Sequence, residues 1–194
     1  MKAEYTANII ILGAPASGKK SFIRRYCEDI FTDLYDPITE TSGDRRLANI
    51  SGVPTLINLE RIPSTFIHSA SEARRIEAEA DALILLYDGS SPASLEDLRR
   101  MQLQVLAPDM REGDEALPIA VVASKADVAE AADTGTAWEQ GMGEGSELAV
   151  QLGAKFGVTS ALWGDGVKDV VEELAARVLE RKGVEKKVLM GAGS

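Results

Sequence analysis

The sequence predicts an α/β fold in which helices cover both faces of a mostly parallel sheet. Three short runs, residues 8–12, 82–87 and 118–123, are continuously apolar, as is typical of strands buried on both faces. Segments with helical spacing of apolar residues separate these runs, and this alternation indicates a doubly wound, three-layer α/β/α arrangement. The 194 residues suit one domain, and the 45% of hydrophobic residues argues against disorder.

Each element is predicted from its own local pattern. Apolar runs, with a hairpin around Gly52, predict strands at residues 8–12, 47–50, 55–59, 82–87, 118–123 and 158–159. Helical composition and spacing predict helices at residues 20–31, 72–80, 94–105, 145–156 and 167–181. Polar, glycine-rich composition predicts surface loops at residues 107–116 and 129–145.

The composition indicates which classes of partner and which cellular compartment are expected. The formal net charge of −10 argues against a nucleic-acid partner, which needs clustered Lys and Arg. Cys27 is the single cysteine, so no disulfide forms within the chain and a cytoplasmic location is expected. We see no bilayer-spanning run, no myristoylation glycine and no prenylation cysteine, so no lipid anchor is expected, and any membrane association would be peripheral.

A glycine-rich turn follows the first strand. Residues 13–19 read G-x-x-x-x-G-K between a strand and a helix, which is the context that makes this phosphate-binding motif specific. Such a turn directs backbone N–H groups and the positive end of a helix dipole at phosphates, and Lys19 would reach them. The alternative is a turn that binds no ligand. The residues predicted to bind nucleotide here are Gly13, Ala16, Ser17, Gly18, Lys19, Lys20 and Ser21.

The residue after the motif lysine departs from the pattern. A Ser or Thr at that position ligates Mg²⁺ in P-loop proteins. Here the position is Lys20, whose ammonium repels a divalent cation, and Ser21 is rotated by about 100° along a helix. Mg²⁺ binding is therefore doubtful and no metal ligand is assigned. Two alternatives stay open: Lys20 replaces the metal, or it points to solvent in a degraded site.

Four motifs in the expected order resemble the Ras superfamily of small GTPases, closest to its Ras-like branch. Besides the glycine-rich turn, they are YDPITE at residues 35–40, SKAD at 124–127 and TSA at 159–161. The resemblance implies a P-loop NTPase small G-domain with a six-stranded, mostly parallel sheet. It implies that residues 1–183 form this domain, that residues 184–194 are a flexible tail, and that GTP or GDP is the bound nucleotide.

The same resemblance implies a guanine site. Asp127 would accept two hydrogen bonds from the base, because a carboxylate is a charged group that only accepts. The stem of Lys125 would lie along the base, and N–H groups of residues 160–161 would hold the guanine oxygen. Ser124 replaces the family's Asn, and Leu162 replaces its Lys. The alternative is a strand-end turn with exposed charges. The residues assigned are Ser124, Lys125, Asp127, Ser160, Ala161 and Leu162.

The two switch segments depart from the family pattern. Ile38 stands where the family has a Mg²⁺-binding Thr, and Thr39 comes one position later. After the third strand the family reads D-x-x-G-Q, whereas residues 60–65 read ERIPST, so the Gly and Gln that serve hydrolysis are missing. Either Glu60 or Arg61 takes the Asp position, and Glu60 could pair with Lys20. The residues expected to contact a protein partner are Tyr35, Asp36, Pro37, Ile38, Thr39, Glu40, Glu60 and Arg61.

These departures leave the function with two main alternatives. The first is a guanine-nucleotide-binding switch in signalling or trafficking, with weak or no GTP hydrolysis. The second is a pseudo-GTPase scaffold that binds protein partners without nucleotide turnover, and a conventional active GTPase comes third. No catalytic residue is assigned from the sequence.

Overall fold

The computed structural model describes residues 2–32, 41–64, 70–105, 116–131 and 135–184. Strands and helices alternate along these ranges, as the sequence predicts. The strands are β1 (Tyr5–Leu12), β2 (Ser42–Ile50), β3 (Val53–Arg61), β4 (Ala82–Asp88), β5 (Ile119–Ser124) and β6 (Lys155–Val158). The helices are α1 (Lys19–Glu28), α2 (Ala70–Glu79), α3 (Pro92–Val105), α4 (Ala126–Ala131), α5 (Gly135–Gln151) and α6 (Val167–Arg181).

One sheet holds the strands in the order β2-β3-β1-β4-β5-β6. β2 runs antiparallel to β3 through the hairpin predicted at Gly52, and every other neighbouring pair is parallel. The predicted α/β fold with a mostly parallel, six-stranded sheet is therefore confirmed. Parallel pairing brings the carboxyl ends of β1, β4 and β5 to one edge of the sheet, where ligands bind in open α/β folds.

The core lies on both faces of the sheet, which is why the central strands are apolar without interruption. Successive side chains of a strand point to opposite faces. Ile9 and Ile11 pack in a cluster with α1 and α6, whereas Ile10 and Leu12 pack in a second cluster with α2, α3 and α5. Full burial of each such side chain is worth about 1.5–3 kcal/mol. The two clusters together hold β1 at the centre of three layers.

The first helix is shorter than predicted. It ends at Glu28 instead of continuing to residue 31. Asp29 takes a left-handed conformation with φ of 58°, and its N–H donates to the carbonyl of Arg25 at 3.1 Å, which closes the last turn. A left-handed residue at this position is a common helix stop, and its side chain adds an ion pair to Arg25.

The predicted loop at residues 129–145 is wrong, because α5 begins at Gly135 and runs through most of it. The glycines serve close packing. A Cβ on Gly141 would lie 2.5 Å from the carbonyl oxygen of Gly89, and a Cβ on Gly145 would collide with the Tyr87 hydroxyl. That hydroxyl donates to the Gly141 carbonyl at 2.7 Å. The helix predicted over 145–156 ends at Gln151, and the strand predicted at 158–159 is β6 instead.

Some predictions fall outside the described residues. These are the switch I segment at 35–40, residues 107–115 of the predicted loop, and the tail from residue 185 onward. Among the helices that the structure describes, none combines the length and apolar character needed to cross a membrane.

Candidate nucleotide-binding site

The phosphate loop connects the end of β1 to the start of α1. A Cβ on Gly13 would collide with the carbonyl oxygen of Leu86 in β4, so only glycine lets the loop leave the sheet here. Ala16 and Gly18 have positive φ angles of 60° and 91°. This left-handed backbone suits glycine and costs other residues energy, so Ala16 stores strain in the loop. Gly18 then caps α1, and Phe22 N–H donates to its carbonyl at 2.8 Å.

Lys19 lies inside this loop. Its ammonium donates to the carbonyls of Gly13 at 2.6 Å and Ala14 at 2.7 Å, and the residue is only 4% exposed. Burial lowers the pKa of Lys19 to about 8, and the positive charge of Arg61 contributes to the decrease. A buried ammonium disfavoured in this way gains from an anionic ligand, which would stabilise its charged form.

Ser17 provides a second polar group in the loop. Its hydroxyl is buried without a hydrogen-bond partner among the described residues, and a Cβ on Gly13 would lie 2.8 Å from it. Buried hydroxyls rarely lack partners. The first N–H groups of α1 also lack partners within the helix, since an α-helix leaves its first turn unbonded. The loop therefore offers donors that fit an anion such as phosphate.

Ser124, at the end of β5, connects the phosphate loop to the predicted base-binding segment. Its buried hydroxyl lies 2.8 Å from the carbonyl oxygen of Ser17 and 2.8 Å from that of Tyr87. A hydroxyl carries one proton, so it donates to one of these carbonyls at a time. Although Ser is shorter than the family's Asn, it still spans the gap between the two loops.

Lys125 follows in a left-handed conformation with φ of 65°. Its ammonium lies 2.7 Å from the Asp88 carboxylate, which also accepts from the Ser90 hydroxyl at 2.6 Å. Burial of Asp88 raises its pKa, but the hydrogen bonds from Lys125 and Ser90 outweigh burial and hold the pKa below its ordinary value. The ion pair fixes the stem of Lys125 at the sheet edge, where the sequence predicts that it lies along a base.

Asp127 lies in the first turn of α4, and its carboxylate accepts from the Ser160 hydroxyl at 2.6 Å. Ser160 is fully buried, and its oxygen accepts in turn from Trp163 N–H at 3.1 Å. The predicted N–H donors at 160–161 differ in availability. The Ser160 N–H is bonded to the carbonyl of Asp165 at 3.0 Å, whereas among the described residues no backbone carbonyl accepts from the Ala161 N–H.

Arg25 is a site residue that the sequence did not indicate. From α1, its guanidinium donates to the carbonyl of Ala161 at 2.7 Å and to that of Leu162 at 2.9 Å. The two contacts join residues that are separated in the sequence by 136 and 137 positions, respectively. They hold the 160–162 loop against the helix that begins at the phosphate loop. The Leu162 side chain is itself 43% exposed, so it remains accessible to a planar ligand.

The end of β3 settles which residue faces the phosphate loop. Leu59 packs with α1 in one core cluster, while Ile62 packs with α2 in the other. Because side chains alternate, Arg61 shares the α1 face with Leu59, and Glu60 shares the α2 face with Ile62. Glu60 accordingly pairs with Arg75 of α2 at 2.6 Å. The predicted pair between Glu60 and Lys20 is therefore wrong, because the sheet separates them.

Lys20 and Ser21 occupy the second and third positions of α1 and are both half-buried. The structure thus brings the predicted residues of the phosphate loop, the 124–127 segment and the 160–162 loop to one edge of the sheet. Switch I is outside the described residues, and Glu60 faces away from the site.

The comparison with known proteins agrees with this arrangement. The sequence model of the Ras family matches residues 8–180. The chain is 29% identical to a "Ras and EF-hand domain-containing protein" of Xenopus tropicalis over 192 residues, which is 92% of this chain but 24% of that protein. The chain therefore spans about a quarter of that relative's length.

Two further relatives are named as GTP-binding proteins. The match covers most of the first relative and a smaller part of the second. "GTP-binding protein Di-Ras2" of Pongo abelii is 27% identical over 86% of this chain and 78% of that protein. "GTP-binding protein Rhes" of Mus musculus is 29% identical over 54% of this chain and 38% of that protein. The family match covers most of the sequence. This chain is a member of the Ras family.

Proposed function

We propose that this protein binds a guanine nucleotide, GTP or GDP, and acts as a protein-binding switch with weak or no GTP hydrolysis. The observation that carries the proposal is the Ser124 hydroxyl, 2.8 Å from the Ser17 carbonyl. This hydrogen bond connects the loop that contains Lys19 to the segment that contains Asp127, so that the two can contact one ligand. The relatives Di-Ras2 and Rhes, which are named as GTP-binding proteins, support the same ligand.

At the phosphate end, the chain supplies positive charge and N–H donors. The Lys19 ammonium and the first turn of α1 would hold the phosphates, and the buried Ser17 hydroxyl would gain a partner. Charge-assisted hydrogen bonds of this kind are about twice as strong as neutral ones. The glycine at position 13 lets the loop pass close to the Leu86 carbonyl, where a Cβ would collide.

At the base end, the chain supplies selectivity. The Ser160 hydroxyl orients one oxygen of Asp127, so the carboxylate is held ready to accept from a guanine N–H and its amine. Adenine presents an acceptor where guanine presents the N1 donor, so the half-buried carboxylate would lose its partner on the base. A site built around an acceptor of this type rejects the wrong base strongly.

The chemistry of hydrolysis is poorly supported by the residues at the end of β3. Residues 60–65 contain neither the Gly nor the Gln that the family uses, and Pro63 has no N–H to donate. The described residues therefore offer nothing that would orient a water molecule in the usual way. Nucleotide exchange, instead of turnover, would then reset the switch.

The alternative function is a pseudo-GTPase scaffold that binds protein partners without nucleotide. The altered residues after β3 favour it, whereas the intact contacts of Lys19 and Asp127 favour nucleotide binding. The predicted partner surface includes residues 35–40, which the structure does not describe, and Arg61. We propose in addition that the protein is located in the cytoplasm or peripherally at a membrane surface.

Release of nucleotide from the purified protein separates the two functions. The full chain is denatured and the supernatant is analysed by ion-exchange chromatography, with the Lys19→Met variant as a control. We expect about one GDP or GTP per chain from the unmodified protein and much less from the variant. No released nucleotide, combined with no binding when GDP is titrated in, would exclude the switch and support the scaffold. Single-turnover assays with labelled GTP then measure hydrolysis directly.

A further inference from the structure

Three positively charged residues lie in or next to the phosphate loop. Lys19 and Lys20 open α1 directly after the loop. Arg61 ends β3 on the face that α1 covers, because it alternates with Glu60, which pairs with Arg75 on the opposite face. In a chain with a net charge of −10 this group is a local exception.

Two of these side chains stand where P-loop proteins hold Mg²⁺. The metal is normally ligated by a Ser or Thr after the motif lysine and by an Asp beyond a neighbouring strand. Mg²⁺ requires oxygen ligands, whereas ammonium and guanidinium groups carry donors and no acceptor. Within the ranges that the structure describes, no three His, Cys, Asp or Glu residues cluster closely enough to hold a metal. Of the residues that the structure describes at these two positions, neither Lys20 nor Arg61 fits Mg²⁺.

Both side chains are suited to replace the metal. Lys20 lies in the first turn of α1, and a helical Cα–Cβ bond tilts toward the helix N-terminus, which is the end of α1 at the loop. The guanidinium of Arg61 can bind two phosphate oxygens at once, because its donors form a planar fork. The effect of Arg61 on the pKa of Lys19 agrees with its charge being directed at this loop.

We propose that this site binds the diphosphate of its nucleotide without a divalent cation, with Lys20 and Arg61 supplying the positive charge that Mg²⁺ supplies in other P-loop proteins. The inference rests on the proposed guanine-nucleotide binding. Its consequence is that the affinity does not depend on Mg²⁺ and that inorganic pyrophosphate, which shares the diphosphate chemistry, competes with GDP in the presence of EDTA.

The test measures the affinity of the full chain for a fluorescent GDP analogue in EDTA and in excess Mg²⁺. We expect the two dissociation constants to agree within about threefold, because the protein already carries the neutralising charge. A loss of affinity of about 100-fold or more in EDTA would overturn the proposal, since it would show that a metal supplies the charge. Competition by pyrophosphate in EDTA is measured in the same assay.

A double variant converts the site toward the usual metal ligands. Lys20→Ser combined with Arg61→Asp should weaken binding in EDTA by at least about 100-fold and restore part of it with Mg²⁺. The matched control, Lys168→Ser with Arg100→Asp, makes the same charge change at exposed positions in α6 and α3 and should leave binding unchanged. If the converted site binds GDP in EDTA as well as the control does, the proposal is wrong.

The outcomes distinguish this inference from the function on which it rests. Nucleotide binding that requires Mg²⁺ would overturn the metal-free site and leave the guanine-nucleotide switch intact. Absence of binding with and without Mg²⁺ would overturn both. Thermal unfolding of each variant, followed by circular dichroism, identifies any loss of affinity that comes from misfolding.

Discussion

The base end and the phosphate end of the candidate site differ in what they keep of the family pattern. At the base end, Ser124 and Ser160 make hydrogen bonds of 2.6–2.8 Å, and Asp127 is one of the acceptors. At the phosphate end, Lys19 keeps its position, but Lys20 and Arg61 bring positive charge to places where the family has oxygen ligands. Under the proposed function, ligand selection would depend on the base end and metal-assisted hydrolysis on the phosphate end, so one could change while the other is kept.

The largest expected effect on GDP affinity comes from Asp127, which is proposed to bind the base. Asp127→Asn should lower GDP affinity by about 100-fold or more, since two hydrogen bonds to a charged acceptor are worth about 3 kcal/mol or more. The matched control is Asp165→Asn in the nearby exposed loop, where only the backbone carbonyl is used. Titration calorimetry gives both affinities. If Asp127→Asn binds GDP as the unmodified chain does, the base end has another role.

The second test uses the pH dependence of Lys19. In the nucleotide-free chain its ammonium loses its proton as the pH rises through about 8, whereas bound phosphate favours the charged form. GDP affinity should therefore be constant below about pH 8 and should fall above it by up to about tenfold per pH unit.

The stability of the nucleotide-free chain should respond to pH with the opposite sign. Because the pKa of Lys19 is about 8 when folded and 10.5 ordinarily, the unfolded chain binds more protons between these values. The free energy of unfolding then rises with pH across that window. Urea titrations of the unmodified chain and of Lys19→Met, compared at each pH, isolate this contribution. An identical pH profile in both would contradict the assignment.

The third test examines the connection from α1 to the base end. Arg25→Met removes the bonds to the Ala161 and Leu162 carbonyls and should weaken GDP binding by about tenfold, because the Ala161 N–H loses its support. Arg24→Met is the matched control on the same helix, since Arg24 makes a partly exposed pair with Glu28 and a long hydrogen bond of 3.4 Å to the Thr32 hydroxyl. Equal affinities of the two variants would show that Arg25 serves stability alone.

The smallest expected effect concerns the connection between the two ends. Ser124→Ala should cost about 1 kcal/mol and weaken GDP binding by about fivefold, as the phosphate loop and the base segment lose one hydrogen bond. Thr55→Val removes a similarly buried hydroxyl at the opposite end of the sheet, where Thr55 pairs with the first residue of β1. It should lower the melting temperature without changing the affinity. If both variants bind alike, the two ends act independently.

The sheet could be predicted because its central strands carry the pattern themselves. Continuous apolar runs such as residues 82–87 occur where both faces of a strand are covered, and the structure shows both clusters in place. The hairpin at Gly52 and the phosphate loop could also be predicted, because glycine adopts backbone conformations that other residues resist.

Other features depend on contacts between distant residues and could not be predicted from local pattern. Four glycines within α5 lower its intrinsic helix propensity, yet Gly141 and Gly145 are what allow it to approach β4. Whether Glu60 or Arg61 faces the loop depends on a shift of one residue, which reverses the faces of a strand. The packing of Leu59 and Ile62 on opposite faces and the pairing of Glu60 with Arg75 decide between them.

The position of Trp163 has a practical consequence. Its indole is about half exposed to water, and its backbone N–H is bonded to the hydroxyl that orients the Asp127 carboxylate. The emission of an indole depends on the polarity around it, so any ligand that orders the 160–163 turn changes the intrinsic fluorescence of the chain. The molecule thus contains its own optical probe, and occupancy of the base end can be followed in real time without a label.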